Sequence, residues 1–190
     1  MNFIRTPIQD VIICEPKVYG DNRGYFLEAY RRNNLEEFLG FPVNFIQDNE
    51  SYSGYGTLRG LHYQLPPFAQ TKLVHVIAGK VLDIVVDIRE NSPTFGNHIA
   101  IELSGENKRQ VLIPRGFAHG FVVLSKTALF AYKVDNYYNP EHDRGIAFND
   151  PDLDINWQLD EKSFKLSPKD TKHPRLKDAD LFEFGKNLYV

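Results

Sequence analysis

The chain has 190 residues, 22 Lys and Arg against 25 Asp and Glu, and a net charge of -3, so no global positive field exists to attract nucleic acid or an anionic membrane surface. Its single cysteine, Cys14, excludes an internal disulfide and a cysteine-based zinc site. Hydrophobic residues make up 42% and aromatic residues 13%, with 13 Gly and 11 Pro, which is the composition of a globular chain leaning toward strands and turns.

Taken in chain order, the start MNFIRTPIQD has no long apolar core and no later apolar run approaches the roughly 20 residues that span a bilayer, so a cytoplasmic protein is expected. Val11–Ile12–Ile13–Cys14 reads as a strand with Cys14 packed inside it. A short helix is expected over Asn34–Leu39, capped by Asn34, with Glu37 three residues on and Gly40 as its stop. Val74–Ile77 and Val81–Ile88 flank Ala78–Gly79–Lys80 and read as a hairpin. Further strands are expected at His98–Leu103, Gln110–Ile113, Gly120–Leu124 and Ala128–Val134. Turns separate them at Asn91–Pro93, Ser104–Glu106 and Pro114–Gly116. Short strands at this spacing predict an all-β sandwich or barrel. From about Asp150 the composition turns polar, which suggests extended segments and one or two short helices wrapped on the barrel and anchored by Trp157. The whole chain, 1–190, reads as one domain, with a barrel core over about 20–150 and a C-terminal extension over about 151–190.

Several polar residues stand in apolar patterns. Strand alternation puts Lys72 on one face with Val74 and Val76, either as an interior lysine needing a partner or as an edge lysine with its amine in water. Tyr132 shares a face with Phe130 and Val134, as a core tyrosine or a functional one. His62 lies among Arg59, Tyr63 and Gln64, and histidine is the usual proton carrier near neutral pH as well as a common structural hydrogen-bonder. Arg23 and Arg59 each precede a glycine, which lets a guanidinium reach a phosphate, although a solvated arginine fits too. Asp83 and Asp87 share a face with Val81 and Val85, either as paired carboxylates near a site or as half-wet strand residues. Pro114 to His119 forms a P-x-G-x-x-H turn of the kind that metal-binding cupin barrels use. The H-x-H pair those barrels also need is absent, because the upstream segment reads His62–Tyr63–Gln64.

Eight blocks in order resemble the dTDP-4-dehydrorhamnose 3,5-epimerase family over nearly the full length. They are Asp21–Glu28 (DNRGYFLE), Gln47–Ser51 (QDNES), Gly56–Gln64 (GTLRGLHYQ), Gln70–Val74 (QTKLV), Val86–Arg89 with Ser92–Gly96, Ile113–Phe121 (IPRGFAHGF), Tyr132–Asp135 (YKVD) and Ser167–Asp170 (SPKD). The resemblance implies a cupin-like jelly-roll β-barrel with a few short peripheral helices, working as a homodimer with no metal and no cofactor. It implies a dTDP-linked 4-keto-6-deoxy sugar as ligand, inversion at C3 and C5 through an enolate, and a place in dTDP-L-rhamnose biosynthesis. By the same resemblance His62 is the base, Asp170 the carboxylate that orients it, Tyr132 the proton donor and Lys72 the cation at the keto oxygen. Arg23, Glu28, Gln47, Asn49, Arg59, Lys72, His119 and Lys169 match sugar-nucleotide contacts, and a contact that is usually Glu falls on Asp143. The rival readings are an epimerase of C3 or C5 alone, a metal-dependent cupin enzyme, and a non-catalytic sugar-nucleotide-binding barrel.

Overall fold

The computed structural model describes residues 1–189. Its elements in chain order are β1 (Asn2–Arg5), β2 (Ile12–Glu15), β3 (Val18–Asp21), β4 (Gly24–Leu27), α1 (Arg32–Leu39), β5 (Gln47–Gly54), β6 (Leu58–Gln64), β7 (Lys72–Ala78), β8 (Lys80–Asp87), β9 (Arg89–Glu90), β10 (His98–Ser104), β11 (Gln110–Ile113), β12 (Phe117–Val123), β13 (Thr127–Val134), β14 (Asp143–Gly145) and β15 (Phe182–Glu183). Three short 3-10 turns, Glu161–Ser163, Asp170–Lys172 and Leu176–Asp178, punctuate the C-terminal segment. No helix is long and apolar enough to cross a membrane among the described residues.

Two antiparallel sheets face each other, one of six strands in the order β1-β2-β11-β7-β13-β5 and one of five in the order β10-β8-β12-β6-β14. From β5 to β8, and again from β10 to β14, each strand crosses to the other sheet, so the sheets wind together as a cupin-like jelly roll. β1 and β2 extend the six-stranded sheet from outside the 20–150 core range expected from the sequence. Alternation then sorts the side chains. Val74, Val76, Val81, Val85, Phe121 and Phe130 fill the space between the sheets. Leu82, Ile84 and Val86 point out of the five-stranded sheet and meet Leu153, Trp157, Leu176 and Phe182 of the C-terminal segment. Ile12, Cys14, Leu73 and Leu112 point out of the six-stranded sheet and are capped by Leu35 of α1.

Most strand expectations hold, and so does the wrapped tail: Trp157 is 5% exposed and its Nε1 donates to the Phe148 carbonyl at 2.8 Å. Cys14 is buried, and burial pushes its thiol up to about 12, which leaves it unreactive. Two expectations change. The Ala78–Lys80 segment is no hairpin: β7 pairs with β11 and β13, whereas β8 pairs with β10 and β12. Gly79, at φ 83°, turns the chain from one sheet to the other, and a Cβ there would lie 2.1 Å from the Thr127 carbonyl oxygen. The helix starts at Arg32, so Asn34 lies inside it and caps nothing; Gly40 does end it, at φ 79°, with its N–H bonded to the Glu36 carbonyl at 2.8 Å.

Candidate active site

A bulge builds the wall that carries Arg59 and His62. On β12, His119 and Phe121 are two residues apart, yet they pair with His62 and Arg59 on β6, which are three apart. The extra residue turns both Arg59 and His62 toward the interior, where simple alternation would send them to opposite faces. Gly60 makes this possible: a Cβ there would lie 2.5 Å from the Gly120 Cα. The facing wall follows from register. Phe130 pairs with Val76, Tyr132 with Val74, and Val134 with Lys72, so these side chains share the inner face of the six-stranded sheet. Tyr132 and Val134 in turn pair with Asn49 and Gln47 of the edge strand β5.

These walls enclose a cleft of about 200 Å³ lined by Glu50, Arg59, His62, Lys72, His119 and Tyr132, with Phe121 and Phe130 at its floor. His62 stands on one sheet and Lys72 and Tyr132 on the other, so they address the cleft from opposite sides. A larger cavity, about 510 Å³, lies under Glu183–Tyr189. Arg89 there is paired with Asp87 and Asp10 and Arg115 with Asp135, while Arg5 donates to the Gln9 carbonyl at 2.9 Å.

His62 Nε2 lies 2.6 Å from Asp170 Oδ1. A carboxylate accepts only, so Nε2 carries the proton and the Nδ1 lone pair is left as the basic atom. Burial lowers the His62 imidazole below its ordinary value; Lys72 and Lys169 push the same way against the bond to Asp170. Asp170 is 4% exposed, and burial alone would raise it. The bonds from His62 and Ser167, with the His173 ring close by, win and hold it well below the usual carboxylate range. Burial pushes the Lys72 ammonium down to about 8, with Asp143 and Asp83 pulling upward. Burial, aided by Asp143, raises the Tyr132 phenol against Arg59.

Other expected residues take clear places. His119 is 7% exposed and its Nε2 lies 2.8 Å from Asp83 Oδ2. Asp83 and Asp87 are both 0% exposed, so neither is a half-wet strand residue, and they do not form a pair: Asp87 binds Arg89, Ser92 and Thr94. Arg59 reaches Ser53 Oγ at 3.2 Å, and Gln47 donates to Asn49 Oδ1 at 2.8 Å. Asp143 Oδ2 accepts from the Tyr138 hydroxyl at 2.9 Å and pairs with the Lys169 ammonium. Arg23 and Glu28 do not join the cleft of this chain. Arg23 sits on the exposed β3–β4 hairpin, paired with Asp21 at 2.5 Å, and Glu28 binds Arg31.

Sequence reasoning missed Ser167, His173 and Tyr138. Ser167 had a local signal, a hydroxyl three residues before Asp170, and it donates to Asp170 Oδ2 at 2.7 Å. His62, Asp170 and His173 present three donor atoms within 4.8 Å of one another, a set that a zinc-class ion accepts. The 2.6 Å between His62 and Asp170 is instead a hydrogen-bond separation. An ion held at about 2.0 Å by each would spread those atoms to roughly 3 Å.

A model of the dTDP-4-dehydrorhamnose 3,5-epimerase family matches residues 5–178. The dTDP-4-dehydrorhamnose 3,5-epimerase of Shigella flexneri is 51% identical over 96% of this chain and 99% of its own length. The crystal structure of the Legionella pneumophila dTDP-6-deoxy-D-glucose-3,5-epimerase, in complex with dTDP-4-keto-L-rhamnose, superposes with a TM-score of 0.93 at 50% identity, covering 97% of this chain and 99% of that one. A 3'-monoepimerase from Streptomyces bikiniensis, in complex with dTDP-quinovose, gives a TM-score of 0.86 at 32% identity, covering 91% of this chain and 87% of that one. The chain belongs to the dTDP-4-dehydrorhamnose 3,5-epimerase family.

Proposed function

We propose that the chain is an isomerase that inverts C3 and C5 of dTDP-4-keto-6-deoxyglucose. The observation that carries this reading is the His62–Asp170 pair at 2.6 Å, facing Lys72 and Tyr132 across one cleft. The C4 ketone acidifies the protons on its neighbouring carbons, because their loss gives an enolate. His62 Nδ1 takes the proton from one face of the sugar. Asp170 holds the ring and balances the imidazolium that forms. The Lys72 ammonium stands where negative charge develops on the keto oxygen, which is where fixed charge counts most. Tyr132 returns a proton from the opposite face, and the configuration inverts. Arg59 at the mouth offers a fork-shaped donor set that suits a diphosphate, and Gln47, Asn49, His119, Asp143 and Lys169 supply the remaining polar contacts. Identity of 38–52% to 3,5-epimerases, against 29–32% to the monoepimerase, favours action at both carbons.

The test is incubation with dTDP-4-keto-6-deoxyglucose in deuterated water. Deuterium at both C3 and C5 of the product is the expected result. Label at one carbon alone would replace this reading with a single epimerase.

The same reading includes a homodimer in the cytoplasm. Arg23 and Glu28, matched to substrate contacts, lie outside the cleft of their own chain, and the β3–β4 hairpin exposes Val18, Tyr19, Tyr25 and Phe26. A second copy that buried this hairpin would also bring those two residues toward a site. Sedimentation should give twice the chain mass; a fully active monomer would count against it.

A further inference from the structure

Asp170 has more neighbours than its bond to His62 requires. Its Oδ1 meets His62 Nε2 at 2.6 Å, and its Oδ2 accepts from the Ser167 hydroxyl at 2.7 Å. A second imidazole closes the remaining side, with His173 Nε2 standing 3.6 Å from the same Oδ1. The His173 side chain is only 8% exposed, and that nitrogen has no hydrogen-bond partner among the described residues. Leaving a buried polar nitrogen unbonded costs free energy, so the placement needs a reason. The ring meets that of His62 edge to face, with centroids 5.4 Å apart. Gly145 makes room for it: a Cβ there would lie 2.5 Å from His173 Nε2. Gly145 is also the β14 residue that pairs with His62. A single glycine thus admits His173 to the back of the His62–Asp170 pair.

We infer that His173 is a positioning residue: its N–H edge faces Asp170 Oδ1 from 3.6 Å, an electrostatic contact longer than a hydrogen bond, and so tempers how strongly Asp170 draws a proton onto His62. The inference rests on His62 being the base. An ionised carboxylate only accepts, so a lone pair on His173 Nε2 would face negative charge; the N–H form is the one that fits. An N–H edge facing Oδ1 weakens the oxygen's hold on the His62 proton. The charged groups around the pair are Lys169 from the C-terminal segment, Lys72 from β7, and Asp143 from β14, which is paired with Lys169. Lys72 and Lys169 already disfavour the imidazolium. His173 works in the same direction by facing the same carboxylate oxygen. The effect is a base that stays neutral, and able to accept a proton, to lower pH.

The experiment is the pH profile of kcat/KM in His173→Phe and His173→Gln. Phenylalanine keeps a ring in the slot over Gly145 but carries no donor. Its acid limb is expected to move up by about half a pH unit. KM should stay unchanged, because His173 lies behind the pair and not in the cleft. Glutamine restores an N–H and should return the limb toward that of the wild type. Gly145→Ala displaces the imidazole without removing it and should shift the limb as phenylalanine does, which keeps the test available if His173→Phe does not fold. An unmoved limb in every folded variant would overturn the inference and leave His173 a packing residue. Failure of His62 as the base reads differently: deuterium exchange would then survive in His62→Ala, whatever His173 does.

Discussion

Asp83 and Asp87 both project inward from β8 and both are 0% exposed, yet the protein surrounds them in opposite ways. Asp87 closes the strand. It binds Arg89 through two oxygens at 2.9 and 2.8 Å, with Ser92 Oγ at 2.7 Å and Thr94 Oγ1 at 2.6 Å. Burial pushes its carboxyl up, but these donors outweigh burial and hold it below its ordinary value. Asp83, in mid-strand beside the cleft, has His119 on Oδ2 at 2.8 Å and no partner for Oδ1 among the described residues. Burial raises its carboxyl, against His119 and Lys72. The two therefore contribute to stability with opposite signs. The stability that Asp87 adds is present above the unfolded carboxylate value and is lost as pH falls through its lowered folded value. For Asp83 the folded state holds its proton longer, so stability falls as pH rises through that window. One strand carries a satisfied clamp at its end and an under-satisfied carboxylate behind His119 of the cleft.

The contrast can be broken most forcefully at the clamp. Asp87→Ala leaves the Arg89 guanidinium, 13% exposed, without its main partner. We expect a loss of about 3–5 kcal/mol in denaturant unfolding, with kcat per folded molecule unchanged. A loss within 1 kcal/mol would mean that the clamp is no clamp. In the cleft, Tyr132→Phe should retain measurable exchange at the substrate carbons while inversion slows by at least about 100-fold, read by comparing deuterium uptake with product configuration. Unchanged inversion would remove Tyr132 from the donor role.

The smallest effect is expected at Asp83. In the role proposed for it the Lys72 ammonium acts charged, so activity should fall as pH rises through about 8. Asp83 is one of the groups holding that ammonium up. Asp83→Asn should therefore move the basic limb of kcat to lower pH while changing stability by only about 1 kcal/mol. A basic limb that stays in place would separate Asp83 from Lys72.

The parts of the fold that could be read beforehand are those where apolar alternation meets a buried face. β8, β12 and β13 carry Val, Ile, Leu and Phe inward or outward on schedule, and their positions follow. β5 had no such signal. In its residues QDNESYSG, Gln47, Asn49 and Ser51 pair with Val134, Tyr132 and Phe130, while Asp48, Glu50 and Tyr52 alternate with them, so neither face is apolar. Gly79 looked like a hairpin turn because the sequence shows a glycine between strands but not which sheet each strand joins. In the site, Lys72 and Tyr132 were legible through alternation, each sharing a face with apolar neighbours. Arg59 and His62 were not legible as one face, because the bulge between them breaks the two-residue period. Their roles came from family resemblance, as did Asp170. His173 had no pattern to announce it, since it meets Asp170 through a 3-10 turn and a gap left by Gly145.

The central claim is that the His62–Asp170 pair removes the proton beside the ketone. The most direct measurement is deuterium exchange at C3 and C5 of dTDP-4-keto-6-deoxyglucose with His62→Ala in deuterated water, alongside the wild type. Loss of exchange at both carbons, by at least about 100-fold, is the expected result. Exchange at the wild-type rate in the folded variant would contradict the account.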